Sequence, residues 1–402
     1  MPHFRAIVSL VAVLGLSARA PADVVFLAKT SFAGDSIDRS GLRGKLEDGS
    51  PRNCLGGFGS AIAYSGQGNR FLMVPDRGPA GGAVSFQCRM HFLDIVVKSA
   101  GRPEVKASLR DTVLLKDEEG RSFLGLASAF DLAHPAASLR LDSEGVRVGR
   151  DGSIFISDEY GPYLYQFAPN GRRLRSIRIP EKFQIVNPRA KEEDELKANK
   201  SGRVPNRGME GLALTPDGRK LVAALQAPLI QDGGRAGINC YLVEIDLAKG
   251  TSREFLYPLA KPGLGLSEIL AVNDREFLVI ERDGLRGKDA RDKKIFRIDI
   301  AKATDISGRA SLPMKSLPKG VVAVKKQLFL DLLDPRHGLA GPDFPAKVEG
   351  LAFGPDLADG RRLLIVTSDN DFNAEESTWI YAFAIDKDSL PRGRPMRIDA
   401  KK

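Results

Sequence analysis

Apolar and polar positions alternate in short runs along the whole chain, and the runs come in pairs joined by turn residues. One pair, MEGLALTPDGRKLVAAL at 209–225, returns as VEGLAFGPDLADGRRLLIVTSDND at 348–371. Five versions of this hairpin are recognisable: GSAIAYSGQGNRFLMVPDRG (59–78), SEGVRVGRDGSIFISDEYG (143–161), MEGLALTPDGRKLVAALQAP (209–228), SEILAVNDREFLVIERDG (267–284) and VEGLAFGPDLADGRRLLIVTSDND (348–371). Each turn is built from Gly, Pro, Asp or Asn, which tolerate hairpin backbone angles. Two more strands follow most copies, such as CYLVEIDL (240–247) and SREFLYPL (252–259) after the third, KIFRIDI (294–300) and VAVKKQLFLDL (322–332) after the fourth. Four antiparallel strands per repeat predict an all-β fold, a β-propeller.

The last copy is followed only by STWIYAFAID (377–386), while ADVVFLAK (22–29) stands alone near the start, so the N-terminal strand is expected to complete the final blade. The repeat starts at Gly59, Glu144, Glu210, Glu268 and Glu349 are unevenly spaced. That spacing leaves room for five to seven blades, and we expect six, one of them degenerate. Two charged stretches, 181–206 and 282–294, read as insertions, either lids or solvated loops.

Composition changes the picture at the N-terminus. MPHFR, the apolar run AIVSLVAVLGL and the small-residue pattern ARA form the grammar of a secretory signal over residues 1–20, leaving a single domain at 21–402. A buried N-terminal helix is the alternative. No later stretch approaches the roughly 20 apolar residues of a membrane crossing, so we expect a periplasmic or secreted protein. In an oxidising compartment Cys54 and Cys88 become the candidate disulfide, with Cys240 a buried free thiol, although three cysteines leave the pairing open. The net charge of +9 favours anionic small molecules or an acidic envelope component as partners, or serves solubility alone. With 7% aromatics and no recognition motif, no nucleic-acid partner is expected.

The chemistry lies in the carboxylates. First strands of propeller blades line the central channel, so Glu144, Glu210, Glu268 and Glu349 are expected to converge and repel unless a cation or protons sit among them. Oxygen donors without Cys or His clusters favour a hard cation, Ca²⁺ before Mg²⁺. The second strands end in PDRG (Asp76, Arg77), SDEYG (Asp158, Glu159, Tyr160), ERDG (Glu281, Arg282) and SDND (Asp369, Asn370, Asp371). Asp76, Asp158 and Asp369 therefore join the candidate metal ligands, and Glu159, Glu210 and Glu349 are the candidate catalytic carboxylates. Arg77, Arg282, Arg207 and Tyr160 are candidates to hold an anionic substrate. Acidic residues also recur in propellers simply to brace turns and neighbouring blades. His91, His134 and His337 have no metal-ligand spacing, no G-x-S-x-G elbow is present, and the Gly-rich 56–68 segment lacks a P-loop lysine.

Together GFGSAIAY…PDRG, SDEYGPYLYQFAPNG, NRGMEGLALTPDG, LVIERD and VEGLAFGPDLADGRRLLIVTSDNDF resemble the phytase-like domain family, exported bacterial proteins with esterase-like activity of phytase, over roughly residues 23–386. The resemblance implies kinship with calcium-dependent propeller phytases, which hold phosphate on clustered metals and attack it with metal-bound water. It carries Glu210, Glu349, Asp158 and Glu159 onto the family's most recognisable positions. Gly59-Ser60 in the first copy and Gln226 in the third depart from the pattern, so those blades are expected to supply no ligand. The lack of a dense aspartate run argues against phytate itself. The expected function is a Ca²⁺-dependent phosphoesterase or esterase acting on a small anionic ester. Lactone hydrolysis, or a non-catalytic envelope propeller with a structural metal, are the alternatives.

Overall fold

The computed structural model describes residues 24–131, 138–161, 163–395 and 398. Residues 1–20, expected to be a signal segment, and His134 lie outside the described residues.

Strand β1 (Val24–Phe32) comes first in the chain and joins the ring last. The first blade is β2 (Ala61–Tyr64), β3 (Arg70–Val74), β4 (Arg89–Lys98) and β5 (Glu104–Leu114), and the second is β6 (Ser143–Val148), β7 (Ile154–Asp158), β8 (Tyr163–Phe167) and β9 (Arg173–Ile177). The third comprises β10 (Met209–Leu214), β11 (Lys220–Leu225), β12 (Asn239–Asp246) and β13 (Ser252–Pro258); the fourth, β14 (Gly265–Ala271), β15 (Glu276–Arg282), β16 (Lys293–Asp299) and β17 (Lys325–Asp331). In the fifth, β18 (Lys347–Phe353), β19 (Arg362–Asp369) and β20 (Thr378–Ile385) take β1 as outermost strand, running antiparallel from Val24↔Ile385 to Phe32↔Thr378. The expected closure by the N-terminal strand is therefore made.

The described residues form five blades, and the expectation of six is corrected. The long gaps that suggested a hidden blade hold other things. The interval after the first hairpin is taken up by the ten-residue β4, the eleven-residue β5 and a loop with isolated bridges such as Lys116↔Ser122 and Leu124↔Arg140. The interval before the third blade holds the short helix α1 (Glu192–Ala198).

Each pair of neighbouring blades encloses its own apolar cluster, and period-two alternation supplies both sides. On β11, Leu221, Ala223 and Leu225 face the second blade while Val222 and Ala224 face the fourth. At the centre, β2, β6, β10, β14 and β18 contact one another in a closed ring. Their crowding explains the glycine of the repeated E-G pair. A Cβ on Gly211 would stand 2.7 Å from the Ile269 nitrogen and 2.8 Å from the Glu268 backbone. Only glycine lets adjacent first strands approach so closely. The preceding glutamate is a β-bulge, shown by register breaks at Ser143/Gly145, Met209/Gly211 and Val348/Gly350. A bulge re-aims one side chain without ending the strand.

The Cys54–Cys88 pairing is not made: all three cysteines are free thiols. Cys88 packs between the first two blades and its Sγ donates to the Leu141 carbonyl at 3.3 Å, while Cys54 packs against the separate Leu46, Val84 and Phe86 cluster. Cys240 is buried on β12, as expected. The 181–206 insertion is anchored at a few points while much of it, α1 included, faces solvent: Arg203 meets Glu195 at 2.5 Å, both buried, and donates to the Tyr160 carbonyl at 2.6 Å. The 282–294 stretch is likewise fixed, with Asp283 accepting from the Leu285, Arg291 and Asp292 amides.

Removing β1 leaves the β20 edge unpaired. We expect deletion of residues 24–32 to lower the melting temperature and raise protease sensitivity in the fifth blade. An unchanged melting curve would show that closure does not depend on this strand.

Candidate metal centre

The bulges aim their residues at one mouth of the channel. Counting from the paired positions, the bulge residue of four first strands and the residue one past the partner of its predecessor make the couples Glu144/Glu159, Glu210/Gln226, Ser267/Arg282 and Glu349/Asp369, and Ser60/Asp76 are their counterparts in the first blade, which has no bulge. Contacts link them around the axis. Ser60 Oγ donates to Asp369 Oδ2 at 2.7 Å, Gln226 donates to Glu210 Oε1, and Arg282 forms an ion pair with Glu349 Oε1.

Six carboxylates thus converge, from Asp76, Glu144, Glu159, Glu210, Glu349 and Asp369, all buried. Two tighter groups stand out: Asp76, Asp369 and Asp371 offer oxygens within 4.8 Å of one another, and so do Asp142, Glu144 and Glu159. Burial pushes Asp76 and Glu159 up to about 7, helped in each case by the Asp142 charge. Burial likewise holds Glu144, Glu210 and Asp369 well above the ordinary carboxylate range, with neighbouring carboxylates adding to it. The rim beside them is strained. Asp371 (φ 51°) and Phe372 (φ 56°) are consecutive non-glycine residues in the left-handed region. They are held there by the Asp371 amide donating to Asp369 Oδ1 at 2.7 Å and by Phe372 packing on Phe86 at 5.0 Å.

Cations border this ring. Arg282 is already engaged with Glu349, and Lys347 pairs with Asp371. Arg77 donates to Asp142 at 2.9 Å and to Glu192 of α1 at 3.4 Å. Arg207 differs from these. It is only partly buried, lies near Glu159 and Glu210, and its Nε has no partner. Of the expected substrate-holding residues it is the one whose guanidinium is not committed to an ion pair among the described residues.

Three expected site residues are placed elsewhere. Glu268 is not at the mouth, because blade four slips by one residue: its register break is at Leu266/Glu268, so Ser267 takes the bulge and Glu268 the position of the glycine. Glu268 instead accepts from the Leu212 and Ile269 amides at 3.0 and 2.9 Å and pairs with Arg147 of β6 at 3.0 Å. This pair crosses the channel below the carboxylate ring. Asp158 turns into its own loop, accepting from the Asp142, Tyr160 and Gly161 amides at 2.9, 3.1 and 3.1 Å, a bracing role. The Tyr160 hydroxyl donates to the Gly125 carbonyl at 2.9 Å, and its ring lies under Arg140 and Arg77. Conversely, the first blade does contribute, through Asp76. Asp142, Lys347, Asp371 and Arg147 were not among the expected site residues. Asp142 lies two residues before the Glu144 bulge and Lys347 two before Glu349, an offset that the repeat makes visible.

With the geometry in place, comparison with known proteins is informative. Residues 53–372 match the model of the family described as "Phytase-like: Esterase-like activity of phytase". The chain belongs to the phytase-like family. A curated relative of this phytase-like propeller, an uncharacterized secreted protein of Arthroderma benhamiae, is 28% identical over 64% of this chain and 66% of its own length. The chain thus spans slightly less than two thirds of that relative. Among solved structures, similarity extends to a luciferin-regenerating enzyme (TM-score 0.38, 11% identity, 87% of this chain and 97% of that one). It extends also to the gluconolactonase XC5397 of Xanthomonas campestris (TM-score 0.33, 12% identity, 92% and 99%). Likenesses this distant carry no argument about chemistry. Among the described residues of the phytase-like chain, no helix is long and apolar enough to cross a membrane.

The raised carboxylates fix the sign of a pH effect. In the unfolded chain they return to values of roughly 4, so between about pH 4 and 7 the metal-free folded state binds more protons than the unfolded one. Stability must then fall as pH rises through that window. We expect the EDTA-treated protein to melt at a lower temperature at pH 8 than at pH 5; a flat or rising profile would contradict the burial described. The crossing pair gives a second expectation. Arg147→Met strands Glu268 and should cost about 3–5 kcal/mol, whereas adding Glu268→Met should recover most of that loss in denaturant unfolding.

Proposed function

We propose that this chain is an exported, cation-dependent hydrolase of ester bonds, with phosphoric monoesters or related small anionic esters as substrates. The observation that carries the reading is a pair of buried carboxylate oxygens, Glu210 Oε2 and Glu349 Oε2, that have no hydrogen-bond partner within a ring of six carboxylates. A buried charged oxygen left bare is costly, and an all-oxygen donor set suits a hard divalent cation, Ca²⁺ before Mg²⁺. The residues present fit such an ion. Asp76, Asp369 and Asp371, whose oxygens lie within 4.8 Å of one another, would hold it together with the bare oxygens of Glu349 and Glu210. Once bound, the cation would neutralise developing negative charge and acidify a water molecule.

The chain's own groups do the rest. Arg207, whose guanidinium is not committed to an ion pair among the described residues, draws the anionic group of the ester to the mouth and orients it. Arg282 keeps Glu349 fixed by holding Oε1, and Gln226 does the same for Glu210. Glu159, next to Glu210, then takes a proton from the attacking water or returns one to the leaving oxygen.

A non-catalytic role for the same ion is favoured by one observation, the depth of the ring: every member is buried and Arg282 closes over Glu349. Export, to the periplasm or the medium, is supported by the signal grammar of residues 1–20 and by the secreted relative.

The test is hydrolysis of an aryl phosphate by the mature protein with Ca²⁺ and then with excess EDTA. Calcium-dependent turnover is expected. Cation binding without turnover on aryl phosphate, acyl ester or lactone would leave the ion structural. Glu210→Gln should abolish Ca²⁺ binding in calorimetry and turnover together, and retained turnover would overturn the assignment. Arg207→Ala should raise KM about tenfold or more, with cation affinity changed little.

A further inference from the structure

The opposite end of the channel holds a second candidate site. From the Glu210 bulge to Leu214, the last residue of β10, the strand descends roughly 13 Å. There the ends of all five first strands enclose a cavity of about 340 Å³. Its walls are apolar, with Tyr64, Val148, Leu214, Leu270, Leu351 and Phe353 among them. The volume falls in the usual range for small-molecule sites.

Both ends of this cavity are charge-balanced. At the inner end stands Arg147, itself buried, whose terminal nitrogens are spent on the Ile62, Val146 and Ile269 carbonyls and on Glu268. Its Nε has no partner. At the outer end Arg394 faces Asp274 at 3.5 Å, and Asp356 is paired with Lys387 at 2.9 Å. A charged ligand therefore gains nothing at either end, whereas one unsatisfied donor, the Nε of the lining residue Arg147, is buried at the foot of an apolar shaft. A buried N–H left without an acceptor is costly, and an acceptor brought to it recovers that loss.

We propose that the lower channel is a binding site for an uncharged, largely apolar molecule carrying one hydrogen-bond-accepting oxygen, such as an aryl or medium-chain ketone or ester. The oxygen accepts from Arg147 Nε and the apolar body fills the space between the strand ends. This site is separated from the carboxylate ring by the Arg147–Glu268 pair, so it does not depend on the cation or on any reaction there.

The probes are acetophenone and ethylbenzene, nearly equal in shape but differing in the acceptor oxygen, titrated into the full-length protein with leucine methyls labelled for NMR. Acetophenone is expected to bind about tenfold tighter, with shifts centred on Leu214, Leu270 and Leu351. Ala271→Phe, which fills the cavity from β14, should abolish both interactions while Ca²⁺ binding at the upper mouth is unchanged. Equal affinity for the two probes, shifts centred elsewhere, or binding that survives Ala271→Phe would overturn the proposal. Should Ala271→Phe fail to fold, the methyl shift map of the unaltered protein decides alone.

Discussion

Five first strands share one axis, and the closeness this imposes governs the rest of the molecule. Where β10 meets β14 there is no room for a side chain on Gly211. The residue before it must bulge, and the bulge points a glutamate at the mouth. The same crowding that demands glycine therefore also concentrates negative charge. Structure and chemistry in this propeller are consequences of a single packing constraint, repeated by the blades.

Concentrated charge needs an answer, and the protein supplies different ones at different depths. At the mouth, Arg282 and Gln226 each satisfy one oxygen of a glutamate and leave the other bare. One level down, where blade four slips by a residue, Glu268 meets Arg147 and two backbone amides. The upper ring keeps unmet demand and the lower pair has almost none on its acidic side. An incompletely satisfied ring suits exchangeable occupants, and a closed pair suits a partition.

Much of this was legible in the sequence because it repeats. The hairpins, the four-stranded blades, the closing strand and the glutamates at 144, 210 and 349 all follow from the recurring phrase. What failed was register. SEI at 267–269 looks like SEG at 143–145, yet without the glycine the bulge moves to Ser267 and Glu268 drops into the channel. Asp158 misled for a related reason: SDEYG carries two adjacent carboxylates, and neighbouring residues on a strand end face opposite ways. Blade count failed because loop length is set by what a loop packs against, as α1 and Arg203 show, and not by the repeat. Arg147 carries no signal at all in the alternating pattern of β6.

The closure of the fifth blade has a temporal side. Val24 pairs with Ile385, so the earliest strand of the ring cannot find its place until nearly the whole chain is available. Contacts this remote in sequence are slow to form, and until they do, β1 is an unpaired apolar strand. Premature locking of the ring is forbidden by topology, and the circle is completed only once β20 has been made.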